Sequence, residues 1–261
     1  VSAGSIAAWA WPGGQEQAKA TPKAKAQFPP YKAPRTADGK ADLSGIWQAL
    51  VTADIDVQDH DAQPGVRPEI MGAYGAWPAG QGIVEGGEIP YRPEALAKKK
   101  ENAEKRMMVN ITNDPSRHDT GDPELKCFRP GVPRANYMPF PFQIIQSSKN
   151  IMIAYEFAHA LRTIYMDGEN KEAPADSWMG WSTGRWEGDT LVVDSTGFLP
   201  YTWFDRAGDY HSDALHVVER YTPISPYHLL YEATIEDPKV FTRPWKISFP
   251  LYRRMEKQAQ L

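Results

Sequence analysis

From residue 143 to residue 250 the sequence is one short apolar run after another, divided by turn residues, with no segment between them that reads as a helical crossover. Residues 143–166 hold two or three strands around a turn near Ser148-Lys149-Asn150, and Asp167-Gly168 closes them. Glu187-Gly188-Asp189 joins the two strands of a hairpin that ends near Phe198. Residues 213–222 and 228–236 pair next, and Trp245–Pro250 alternates as a last strand. Ahead of them, Leu43–Trp47 follows the Asp38-Gly39 turn and reads as a first strand. Strands in such close succession form an antiparallel meander, and closing it into a barrel leaves no open edge. The expected fold class is mainly β.

Proline sets the limits of that regular part. The chain has 261 residues and 23 prolines. They gather in the N-terminal arm, in the Gly-rich stretch 61–92 and in 121–142, and thin out across the strands. This pattern excludes helical bundles and coiled coils, because proline breaks long helices. One helix remains, over about 93–107: Pro93 suits its first turn, and Glu94–Lys98 and Glu101–Lys105 pair at i,i+4. Its thin apolar face of Leu96, Ala103 and Met107 predicts a surface position. The expected organisation is an export-signal remnant and extended arm at 1–35, then a single β-barrel domain at 36–261. Irregular segments at 61–92 and 108–142 wrap that domain.

The net charge of −4 and pI near 5.9 argue against a nucleic-acid partner. Lys98-Lys99-Lys100 reads as a solvated helix face. No apolar run approaches the ~20 residues of a bilayer span, so the chain is not expected to be membrane-spanning. The single Cys127 excludes an internal disulfide and reads as a small buried hydrophobe. At the N-terminus, Ser5–Trp11 is apolar and Ala8-Trp9-Ala10 has the A-x-A form that precedes signal cleavage. These residues point to an extracytoplasmic (periplasmic or secreted) protein. An extended arm over 1–30 also suits docking to a partner protein or self-association.

Chemistry-bearing residues fall into two groups. The apolar set Leu229, Tyr231, Ala233 and Ile235 must face inward on its strand. Pairing Val218 with Tyr231 then turns His216 and Arg220 inward as well, towards Tyr155, Tyr165, Tyr231 and Glu156; a slip of one residue would expose both. His159 shares the parity of Tyr155 and could join them. A buried charge needs such partners, so the cluster reads either as a ligand's polar anchor or as a satisfied core network. The second group is the loop Trp203–Asp213. His211, oriented by Asp205 or Asp213, suits acid–base catalysis. His211, Asp213 and Asp209 suit a metal less well, since their spacing matches no metal motif, and an Asx-turn with salt bridges is the structural alternative. Neither a metal nor a cofactor is expected: G-x-S-x-G, H-E-x-x-H and Gly-rich phosphate loops do not occur. His60 and His118, in polar surroundings, read as surface residues.

Gly45-Ile46-Trp47 resembles the G-x-W opening strand of lipocalin-like barrels. The strings CFRPGVPR, IMIAYEFAHALRTIYMDG, GRWEGDTLVVDSTGF and TWFDRAGDYHSDALHVVERYT are similar to a family of uncharacterised exported bacterial proteins. The resemblance covers most of the chain beyond residue 36. It implies a lipocalin-like or calycin-like antiparallel barrel and no established activity.

Three functions remain in view. One is a secreted barrel binding a small, largely apolar or aromatic molecule through His216, Arg220, Tyr231, Tyr155, His159 and Trp47. Another is a cofactor-independent acid–base enzyme (lyase, isomerase or hydrolase) using His216, His211, Asp205 and Asp213. The third is a structural or accessory subunit docking through its arm.

Overall fold

The computed structural model describes residues 31–65, 75–107, 121–166, 173–256 and 261. Nine strands close into a barrel in chain order: β1 Gly45–Ala49, β2 Phe142–Gln146, β3 Asn150–Tyr155, β4 Leu161–Tyr165, β5 Trp181–Glu187, β6 Thr190–Thr196, β7 His216–Ser225, β8 His228–Glu236 and β9 Trp245–Arg253. β9 returns to β1 through Trp47↔Arg253 and Ala49↔Leu251, so the sheet closes on itself. Strict alternation builds the inner wall: Val217, Glu219 and Tyr221 on β7, Leu229, Tyr231, Ala233 and Ile235 on β8, and Trp245, Ile247, Phe249 and Leu251 on β9 are all buried.

One seam departs from the expected meander. β4 and β5 run parallel and pair only at Ile164↔Ser182 and Tyr165↔Thr183. Parallel neighbours cannot be joined by a tight turn. This seam, with two paired positions, is the shortest in the barrel.

The G-x-W tripeptide has a packing reason. The Arg253 guanidinium lies over the Trp47 ring, 4.3 Å from its centre, and donates to Ser44 O (2.7 Å) and Pro226 O (3.1 Å). A Cβ on Gly45, whose φ is +143°, would overlap that guanidinium. Trp47 is itself buried, with its indole N–H on Leu43 O at 2.9 Å.

Among the described residues the α-helix, α1, spans Pro93–Lys105. It lies on the surface as expected, yet its buried positions are Ala95 and Asn102, while Leu96 is exposed. Asn102 Nδ2 donates to Gly208 O at 3.2 Å, and a Cβ on Gly208 would come within 2.7 Å of Ala103 N. Close backbone approach, not an apolar stripe, seats this helix. Cys127 also differs from expectation. It is exposed, in the left-handed conformation that ends the short 3-10 turn Pro123–Lys126.

Candidate functional site

The register of β7 and β8 decides which charges enter the barrel. Tyr221 faces Tyr231 and Val218 faces Thr234. The expected Val218–Tyr231 pairing is corrected, and with it the placement of His216 and Arg220. Both stand on the outer face. His216 Nε2 is 3.0 Å from Asp194 Oδ1, with Nδ1 3.6 Å from Glu236 Oε2; Arg220 Nη1 donates to Glu187 Oε2 at 2.8 Å. The Asp194 bond, followed by the nearby carboxylate charges, raises the His216 pKa against the opposing effect of partial burial. His159 is likewise outside. The 3-10 turn Phe157–His159 separates β3 from β4, with Ala158 and His159 at φ +54° and +45°, so strand parity ends before it. Glu156 is exposed, and Tyr165 stacks on Trp181.

The carboxylate that does enter is Glu219. Arg162 on β4 forms an ion pair with it, both side chains almost wholly buried. Glu219 Oε1 also accepts from Asn136 Nδ2 (3.0 Å), Tyr221 OH (3.0 Å) and Tyr231 OH (2.9 Å). Asn136 Oδ1 in turn accepts from Tyr155 OH at 3.0 Å. Arg162 reaches Ser182 Oγ (2.9 Å) and Ser195 Oγ (2.8 Å) with its remaining donors. Tyr155 and Tyr231 are thus inward as expected, but they serve Glu219 instead of His216. Burial drives all three tyrosine hydroxyls well above their ordinary range, so they remain protonated donors. Alternation on β4, where Arg162 shares a face with Ile164, is the sequence signal that points to Arg162.

The 203–213 loop keeps His211 apart from its carboxylates. His211 is buried, with Nδ1 2.8 Å from Ser212 O and Nε2 2.7 Å from Thr202 Oγ1. The carbonyl fixes the proton on Nδ1, and Thr202 donates to Nε2. Burial lowers the His211 pKa. Neither Asp205 nor Asp213 orients this ring: Asp205 accepts from Val57 N and Asp209 N (both 3.0 Å), and exposed Asp213 pairs with Lys239 at 2.6 Å. Asp209 sits with Asp56 and Asp205, their carboxylate oxygens within 4.8 Å of one another. Lys99 Nζ, 2.8 Å from Asp209 Oδ2, and Tyr91 OH, 2.7 Å from Oδ1, meet that charge. Burial first and Asp209 second raise the Asp205 pKa well above the usual carboxylate range. His60 is half-buried, not a surface residue, with Nδ1 2.9 Å from Gln58 O. His118 and the arm 1–30 lie outside the described residues.

The short parallel seam opens a cleft of about 230 Å³ beside Arg162. Leu161, Thr163 and Tyr165 of β4 form one wall; Trp178, Gly180 and Trp181 form the other. The Tyr165 and Trp181 rings stack at 4.4 Å, and Trp178 packs on Phe128 at 4.8 Å. Gly180, at φ +68°, has no room for a side chain: a Cβ would lie 2.5 Å from the Phe198 ring. The indole Nε1–H of Trp181 is buried without a hydrogen-bond partner. Strand parity and loop chemistry single out neither tryptophan, because nothing in the sequence announces that β4 and β5 part here.

Comparison with protein-family models, with curated proteins and with solved structures returned no significant match.

Proposed function

We propose that this chain binds a small aromatic molecule, held in the cleft between β4 and β5. The observation that carries the reading is an aromatic wall: Tyr165, Trp178 and Trp181 line the cleft, with the Tyr165 and Trp181 rings stacked at 4.4 Å. Flat faces favour a flat ligand, since offset ring stacking adds to area burial. The polar interior behind the cleft supports a site in the wall: Arg162 and Glu219 are committed to each other and to their neighbours. Acetophenone, a ring with one carbonyl, is a suitable probe. Calorimetry is expected to give saturable 1:1 binding that Trp178→Ala abolishes and Trp181→Phe weakens. Absence of saturation, or equal binding by both variants, would overturn the reading.

An extracytoplasmic location belongs to the same proposal. The apolar run Ser5–Trp11 and the Ala8-Trp9-Ala10 pattern support it. Fractionation of cells expressing the gene from its own start tests it, and recovery in the cytoplasm alone would refute it.

A further inference from the structure

A second cavity, of about 200 Å³, lies at the C-terminal end of α1. Three observations there concern Arg106, the residue that ends the helix. Its guanidinium lies 4.7 Å from the centre of the Trp77 ring, which is itself buried. Its Nη1 donates to Ala103 O at 2.9 Å, as basic side chains at helix ends do. Among the described residues it makes no ion pair, so four of its five N–H donors are uncommitted.

The other charges on the cavity wall are already matched. Asp122 Oδ1 accepts from Arg134 Nη1 (3.2 Å) and Glu124 N (2.9 Å). Arg206 grips Glu124 through two bonds of 2.6 Å and approaches Asp54 at 3.2 Å. On this cavity's wall one cation, Arg106, is therefore left over, and the remaining lining includes the Trp77 ring, Met107 and Leu125.

We propose that this cavity binds a small organic carboxylate with an apolar body, the carboxylate on the Arg106 fork and the body against Trp77. A guanidinium presents paired donors that match a carboxylate's two oxygens. The contact of the guanidinium with the Trp77 ring restrains the side chain, which lowers the ordering cost of binding. Partial burial depresses the Arg106 pKa, and the charge of Asp122 offsets it in part. The volume is below that of a drug-sized pocket and limits the body to a short chain or one ring.

Hexanoate and its neutral analogue hexanamide serve as probes in calorimetry on the full chain. Hexanoate is expected to bind 1:1, with hexanamide weaker by about tenfold or more. Arg106→Met should weaken hexanoate by a similar factor, and Arg106→Lys, which keeps the charge but loses the fork, should fall between. Trp178→Ala should leave hexanoate binding unchanged, which separates this site from the β4–β5 cleft. The inference fails if hexanamide matches hexanoate, if Arg106→Met keeps full affinity in a protein of unchanged Tm, or if hexanoate does not saturate. Should Arg106→Met not fold, the comparison of the two probes and the Arg106→Lys variant decide alone.

Discussion

Inside the barrel, Arg162 and Glu219 form a buried ion pair, with Arg162 Nη1 3.1 Å from Glu219 Oε1 and a second, closer contact through Nη2. They come from β4 and β7, which are not neighbouring strands. The pair ties separate parts of the wall together, with Asn136, Tyr221 and Tyr231 completing the shell of Glu219.

Removing one partner should therefore be far worse than removing both. Glu219→Leu leaves a buried guanidinium uncompensated and is expected to cost about 3–5 kcal/mol. The double variant Arg162→Met/Glu219→Leu should recover a large part of that loss. Urea denaturation of the single and double variants measures the difference. Equal losses in the two would refute the charge-pair account.

Two histidines should titrate in opposite directions. His216, bonded to Asp194, holds its proton more tightly in the folded chain than its ordinary value of 6.5. Its stabilising contribution is full below that value and fades as the pH rises through the higher folded one. His211, desolvated, has a folded value below 6.5. The unfolded chain then takes up a proton that the folded chain refuses, so this residue lowers stability as the pH falls below 6.5. NMR titration of the imidazole protons is expected to place the two midpoints on either side of 6.5, and Asp194→Asn should bring that of His216 down. Coincident midpoints would show that neither environment acts as described.

Gly80 should tolerate no side chain. His60 and Gly80 exchange backbone hydrogen bonds of 3.1 and 2.9 Å, which puts both substituents on one side. A Cβ on Gly80 would overlap the Thr52 hydroxyl and lie 2.6 Å from His60 Nε2. Gly80→Ala is expected to destabilise by about 1–3 kcal/mol. Thr52→Val, in contrast, should be neutral or stabilising, because the buried Thr52 hydroxyl has no partner to lose. Thermal melts of both variants check this, and a Thr52→Val loss as large as that of Gly80→Ala would contradict it.

Period-two alternation in the sequence settles the strands and most of the inner wall, because a sheet with one buried face records that face in every second residue. Leu229, Tyr231, Ala233 and Ile235 carry the signal cleanly and are inward. On β7 both faces mix apolar and charged residues, so alternation alone leaves His216 and Arg220 as eligible as Glu219. A buried carboxylate is tolerable only with a cation beside it, and that cation, Arg162, lies 57 residues away in sequence.

The sequence by itself determined a mainly β chain, its hairpins, its surface helix and the concentration of proline in the wrapping segments, since all of these follow from local backbone preference. The tertiary structure decided the parallel β4–β5 seam with its tryptophan-lined cleft, the charge that lies inside the barrel and the placement of Arg106 over the Trp77 ring. Each of these depends on which distant residues meet, and local preference carries no record of that.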